Sequence, residues 1–184
     1  IVMRKVYLSA GHTNVTGQDR GAVSKSGTWI EGVEAVIIRD LLKEELIKRG
    51  ATVIVDDNRN ALAKTLAAFK GLVGVADIAI DIHFDAGGGT GCSVFIPVQA
   101  SKLEQNLAAD LSGVISNVLK VRNRGVKTEL DSHHKTLGWM RLACENILIE
   151  TCFIDNTEDM KSYDFNKIVL VKSLADTIYL HSIK

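Results

Sequence analysis

Short runs of apolar, β-branched residues alternate along this chain with longer stretches in which apolar positions recur every three or four residues. Val6-Tyr7-Leu8-Ser9-Ala10 reads as a strand that ends at Gly11. Val33, Val36, Ile37, Leu41, Leu42 and Leu46 then recur at helical spacing. Glu34, Arg39, Asp40, Lys43, Glu44 and Lys48 fill the other face, and Gly50 is the stop. Thr52-Val53-Ile54-Val55 is a second strand. Asn60 to about Leu72 is a second helix, with Leu62, Leu66, Phe69 and Leu72 in its stripe. Ile78-Ala79-Ile80-Asp81-Ile82 is a third strand. A glycine cluster, Gly87-Gly88-Gly89 and Gly91, follows and leads into a fourth strand, Cys92 to Ile96, closed by Pro97. Leu103, Leu107, Leu111, Val114, Val118 and Leu119 mark a long helix, and Val126 sits in a short extended piece. Thr136 to about Cys144 is a short helix and Ile147-Leu148-Ile149 another strand. Ile168, Val171, Leu174, Ala175 and Ile178 give the closing helix.

Strands separated by helices of this length imply βα crossovers, which favour a parallel sheet with helices on both faces. The strands are short and rich in Val and Ile, as strands buried on both sides are. The expected architecture is a single α/β domain, built on a mostly parallel twisted sheet of about six strands with helices on both faces. No internal repeat, low-complexity segment or linker interrupts it.

Composition narrows the partners more than the fold. Apolar residues make up 46% and charged residues 24% of the 184 positions, a globular balance that rules out disorder. Lys+Arg and Asp+Glu are each 22, so the net charge is zero. A neutral chain lacks the overall basic footprint of a nucleic-acid or anionic-lipid binder. No apolar run reaches the ~18 residues of a membrane span. Arg4 and Lys5 precede only Val6-Tyr7-Leu8, too little for a signal-peptide core of ~7–15 residues. Ile1 is not an initiator, which makes Met3 the expected natural start. Three cysteines, Cys92, Cys144 and Cys152, with no CxxC, indicate neither a disulfide framework nor a cysteine-rich zinc site. Each lies in or beside an apolar run and reads as a buried, inert thiol.

In an open parallel α/β sheet, ligands bind beyond the carboxyl ends of the strands. The first strand delivers Gly11-His12, the third His83 and Asp85, and the late strand Glu150. Glu31 comes just before the first helix. Two of the five histidines therefore fall at strand ends on one rim. Two histidines and a carboxylate form a catalytic zinc set with a fourth position for water, and a second, unligated carboxylate can serve as general base. The competing reading is that each histidine is a hydrogen-bonded structural group. Other motifs are absent: there is no GxxxxGK[ST], no GxSxG and no HExxH. Gly87-Gly88-Gly89-Thr90-Gly91 lacks dinucleotide spacing and precedes a strand; it reads as a mobile loop beside the site or as a plain connection. His133-His134 lies in the polar stretch Glu129 to Lys135, a solvated loop or a substrate contact.

These residues resemble the zinc-dependent N-acetylmuramoyl-L-alanine amidases (type 3), the catalytic domain of bacterial autolysins and phage endolysins. Leu8-Ser9-Ala10-Gly11-His12 followed by Asp19-Arg20-Gly21-Ala22 matches the family's opening strand, Gly-His and Asp-x-Gly-Ala. Trp29-Ile30-Glu31 matches the Glu ahead of the first long helix. Asp81-Ile82-His83-Phe84-Asp85-Ala86 stands for a Ser-Ile-His-Ala-Asn-like segment, and Arg124-Gly125-Val126-Lys127 for a recurrent Arg-Gly-Val-Lys. Ile147-Leu148-Ile149-Glu150-Thr151-Cys152-Phe153-Ile154-Asp155-Asn156 matches the last landmark. The resemblance runs from about residue 5 to the end.

The resemblance implies that residues 1–184 form an amidase catalytic domain, with Zn2+ held by His12, Glu31 and His83 and with Glu150 as catalytic carboxylate. Glu34 is the rival for Glu31; counting back from Arg49-Gly50 favours Glu31. Asp81, Phe84 and Asp85 depart from the usual small or neutral neighbours of the histidine, and Cys152 stands where glycine is common. The loop Thr13 to Gln18 differs from the usual glycine-rich stretch. The implied reaction is hydrolysis of the amide between N-acetylmuramic acid and L-alanine in peptidoglycan. The expected protein is a monomer, without nucleic acid or a membrane span. It is made in the cytoplasm without a signal peptide and acts on the cell wall after release, as a phage or prophage endolysin or a mother-cell lysis enzyme. Two rivals stand beside it: a wall hydrolase using Cys92 or Cys152 with a histidine, and a module that binds peptidoglycan without cutting it.

Overall fold

The computed structural model describes residues 3–59 and 62–183, so the expected helix start at Asn60 lies outside the described residues. In chain order the elements are β1 (Val6–Ser9), α1 (Glu31–Lys48), β2 (Val53–Val55), α2 (Leu62–Lys70), β3 (Ile78–Asp85) and β4 (Cys92–Ile96). Then follow α3 (Lys102–Leu119), β5 (Asn123–Thr128), β6 (Glu145–Phe153) and α4 (Thr157–Ser182). Two 3-10 turns, Glu129–Asp131 and Gly138–Arg141, lie between β5 and β6. The expected helix over Thr136 to Cys144 is thus one short turn.

The six strands form one sheet in the order β2-β1-β3-β6-β4-β5. All neighbouring pairs are parallel except β4 and β6. The reversal follows from chain length. The link from β3 to β4 is only the glycine-rich stretch 86–91, too short for the dozen or more residues of a parallel crossover. The chain therefore returns past the end of β6 and runs back on its far side.

Side chains alternate across the sheet with period two, and the two faces are covered unequally. Val6, Leu8, Ile78, Ile80, Ile82, Ile147 and Ile149 face the larger core, which α1, α3 and α4 supply with Leu42, Leu46, Leu107, Leu111, Leu170 and Leu174. Tyr7, Ala79, Phe95 and Leu148 face a smaller cluster with Phe69 of α2 and Trp139, Met140 and Leu142. This thinner layer stops short of the strands' carboxyl ends. Asp81, His83 and Glu150 continue the rows of Ala79 and Leu148, so they stand on the face that the thinner layer leaves open. No described helix is long and apolar enough to cross a membrane.

Candidate metal centre

Three local devices bring the site together. Gly11 ends β1 with φ +56, and a Cβ there would collide with the His83 ring, so the glycine both makes the turn and lets the imidazole lie against the backbone. The loop that follows is closed by the Thr13 N–H donating to the Asp19 carbonyl at 3.1 Å. Its far end supplies the carbonyls that start α1: Glu31 N–H donates to Ala22 O and Gly32 N–H to Arg20 O, each at 2.9 Å. These fill first-turn donors that no side-chain cap satisfies. Glu31 is thus the first residue of α1 rather than a residue ahead of it, fixed to the loop that carries His12.

The Glu31 carboxylate is the hub. Its Oε1 lies 3.0 Å from His83 Nδ1 and 3.6 Å from His12 Nε2, and accepts the Phe84 N–H at 3.1 Å. Its Oε2 accepts the Ala22 N–H at 2.9 Å. One ligand atom from each of His12, Glu31 and His83 falls within 4.8 Å of the others. Burial by itself pushes the Glu31 carboxyl up, but the hydrogen bond and charge of His83, the charge of His12 and the Ala22 N–H outweigh it and hold the group below its ordinary value. Burial likewise works against the His83 cation; Asp81, Glu31 and Glu150 overcome it and raise that ring well above the ordinary histidine value.

Glu150 is the direct cross-strand neighbour of His83. Its Oε2 is buried without a hydrogen-bond partner among the described residues. Burial, together with the negative charges of Glu31, Asp85 and Asp81 and against the pull of His83, pushes this carboxyl up to about 8. A carboxyl that titrates near neutrality beside the His83 imidazole is what proton-transfer chemistry needs. The surrounding cavity of about 520 Å³ is lined by all four residues and by Asp81, Asp85, Arg124, Lys127, His133, His134 and Trp139.

Glu34 does not join the group. It accepts from Tyr163 Oη at 3.1 Å and Lys167 Nζ at 3.0 Å, one turn into α1 and directed at α4. The thiols stand outside the cavity lining. Burial raises Cys92 to about 11, Cys144 to about 12 and Cys152 well above its ordinary value, the opposite of an activated nucleophile. His133 and His134 stack edge to face at 5.5 Å on the cavity rim. The glycine stretch is tied down: Gly87 and Gly88 N–H donate to Asp155 Oδ2 at 2.9 and 2.8 Å, and Asn156 Nδ2 donates to Gly89 O at 2.9 Å. The sequence marks Asp81 only as a departure from the usual small or neutral neighbours of the histidine; its contact with His83 follows from the strand, since residues two apart share a face.

Two imidazoles and a carboxylate are ordinary ligands of a divalent ion such as zinc. The buried, unpartnered Glu150 oxygen beside them gives the set an acceptor that a metal-bound water can donate to. The residues present therefore fit such an ion.

A family model for N-acetylmuramoyl-L-alanine amidase matches residues 6–179. Comparison with curated proteins finds no match. Among solved structures, Cwp6 from Clostridium difficile superposes with a TM-score of 0.80 at 24% identity, covering 100% of this chain and 30% of its own. This chain thus spans about 30% of the Cwp6 chain. The catalytic domain of CwlV, an N-acetylmuramoyl-L-alanine amidase from Paenibacillus polymyxa, gives a TM-score of 0.79 at 18% identity over 98% of this chain and 100% of that one. The catalytic domain of the CD27L endolysin, which targets Clostridium difficile, gives 0.74 at 18% identity over 98% and 99%. At these identities the structures speak for the fold; the match over residues 6–179 speaks for descent, and by it the chain belongs to the N-acetylmuramoyl-L-alanine amidase family.

Proposed function

We propose that residues 1–184 act as a catalytic domain that hydrolyses the amide between the lactyl group of N-acetylmuramic acid and L-alanine in peptidoglycan. His12, Glu31 and His83 hold zinc in this reading. The observation that carries it is the cluster of these three residues in one cavity with Glu150, the cross-strand neighbour of His83, whose Oε2 is buried without a partner among the described residues.

Zinc, when bound, supplies Lewis acidity toward the scissile carbonyl and lowers the pKa of a coordinated water. Glu31 keeps its ligand oxygen in place because two backbone N–H groups, Ala22 and Phe84, fix the carboxylate. Glu150 takes a proton from the attacking water and hands it to the departing nitrogen of L-alanine, so that a carboxylate and an amine leave the site. Burial first, and then the charges of Glu31, Asp85 and Asp81, raise its proton affinity and make it a better base than an exposed glutamate. The cavity of about 520 Å³ beside these residues leaves room for a glycan-linked peptide. Action on cell walls, in an autolytic or endolytic setting, follows from that substrate.

The test uses purified walls. Turbidity should fall as new L-alanine amino termini appear, a chelator should stop both, and added zinc should restore them. Elemental analysis should find metal lost in His12→Ala and His83→Ala. Full zinc occupancy in both variants would sink the site. Clearing that survives chelation but stops with a thiol reagent would favour the cysteine route, and retention on walls without new amines would leave a binding module.

A further inference from the structure

We propose that Asp81 is a positioning residue that fixes the ring of His83 and thereby sets the zinc affinity of the site. The inference rests on the reading of His12, Glu31 and His83 as metal ligands. Asp81 and His83 are alternate residues of β3 and project from the same face. Asp81 is 1% exposed, and its Oδ2 lies 3.1 Å from His83 Nε2. The other ring nitrogen, Nδ1, faces Glu31 Oε1 at 3.0 Å.

A neutral imidazole has one N–H and one lone pair, and a carboxylate can only accept. The Asp81 contact therefore places the proton on Nε2 and leaves the Nδ1 lone pair directed at the ligand cluster. Gly11 completes the clamp, since its bare Cα lies against the Nε2 edge of the ring, where a Cβ would have no room. A carboxylate behind a ligating histidine holds the ring's orientation and raises its basicity toward the metal.

Two features argue against a merely structural acid. The Asp81 Oδ1 is buried with no hydrogen-bond partner among the described residues, whereas the buried Asp159 has both its oxygens filled by protein donors. Asp81 also adds negative charge to a cluster that already holds Glu31, Asp85 and Glu150. Such crowding is costly unless a cation is present to offset it.

The experiment measures zinc affinity of the full chain by competition with a chromophoric chelator, for the unaltered protein, Asp81→Asn and Asp81→Ala. Alongside, 15N shifts of the His83 ring are read in the zinc-loaded proteins, and thermal melting is followed in the metal-free ones. Asp81→Ala should lose roughly 10–100-fold in zinc affinity and lose the single Nε2–H signature of the His83 ring. Asp81→Asn keeps an acceptor oxygen in place of the charge and should recover the ring signature with part of the affinity. Unaltered protein that takes up no zinc would overturn the underlying site reading. Unaltered protein that binds zinc, with both variants within about twofold of it and the His83 signature unchanged, would overturn the role of Asp81 alone. A lower melting temperature with an unchanged His83 signature would also overturn it, by making Asp81 a structural acid. Should Asp81→Ala not fold, the ring signature and affinity of Asp81→Asn against the unaltered protein decide.

Discussion

Glu150 and Asp159 are acids from the same β6–α4 stretch, and the protein treats them in opposite ways. Asp159 is buried at the start of α4. Its Oδ1 accepts the Thr90 hydroxyl at 2.6 Å, and its Oδ2 accepts the N–H groups of Gly91 and Phe153 at 2.9 and 3.1 Å. Asn156 caps the helix beneath it by accepting from the Glu158 and Asp159 N–H groups. Together they staple the glycine stretch, the turn into β4 and the end of β6 to one helix terminus. Glu150 has a buried oxygen with no donor among the described residues, and its nearest charges include three other acids. A carboxylate with filled oxygens stabilises a fold; one left unfilled among like charges costs stability and keeps its proton chemistry. The molecule thus separates a fully satisfied acid from an unsatisfied one, the acid proposed above as the general base, along a short length of chain.

The two acids should differ most in catalysis. Glu150→Gln should retain zinc and fold but lose about 10²–10⁴-fold in turnover on purified walls, the usual contribution of a general base. Loss of zinc together with activity would make Glu150 a ligand, and full activity would put the base elsewhere. Asp159→Asn, in the same assay, should alter turnover far less.

The next effect is on stability, and its sign depends on pH. The Glu150 carboxyl titrates at about 8 in the metal-free fold against an ordinary value of 4.5. The folded protein therefore holds a proton that the unfolded chain releases between those values. Stability of the chelator-treated protein should fall as pH rises from about 4.5 to about 8, then level off. Glu150→Gln is neutral throughout and escapes this loss. Its advantage in chemical denaturation should be near zero at pH 4.5 and grow to at most about 4 kcal/mol at pH 8. An advantage that shrinks with rising pH would mean that the carboxylate form is the one the fold prefers. Asp159→Ala should instead be destabilised by about 3 kcal/mol, because a hydroxyl and two N–H groups lose their acceptor.

How much of this was legible in the sequence divides along similar lines. The parallel βα frame was readable because apolar runs and helical stripes carry it directly. The clustering of His12, Glu31 and His83 was readable because each sits at a landmark of the chain: a Gly-His after the first apolar run, a Glu just ahead of the first helical stripe, a His directly after the third apolar run. The lengths of β3 and β6 were not. An apolar run stops at Ile82 and at Ile149, while the strands continue to Asp85 and Phe153, because His83 and Glu150 line the cavity and break the apolar pattern there. The expectation that His83 and Glu150 follow their strands therefore placed them at the right rim but outside elements they belong to. The direction of β4 was hidden as well, since periodicity carries no polarity; only the shortness of the 86–91 link did. The closing helix begins at Thr157 rather than near Ile168, because its first turns are dominated by Glu158, Asp159, Lys161, Ser162 and Asp164 and show little apolar stripe. The glycine cluster was open between a mobile loop and a plain connection; its anchors lie some 67 to 69 residues away in sequence, beyond any local signal.

The smallest effect expected is the most specific to the scaffold side. Thr90→Val keeps the β-branched shape and removes only the hydroxyl that donates to Asp159 Oδ1 at 2.6 Å. The Gly91 and Phe153 N–H groups still fill Oδ2, and Thr90 is exposed, so the cost should be about 1.5 kcal/mol, the low end for one hydrogen bond to a charged group. Hydrogen exchange at Gly91 and Phe153 should quicken in proportion, because opening the turn then breaks one bond fewer. Zinc content and turnover should stay at the level of the unaltered protein, since no atom of Thr90 lines the cavity. A fall in zinc affinity or turnover in Thr90→Val, at unchanged fold, would show that the staple and the site are one unit and that the two acids are not separated in function.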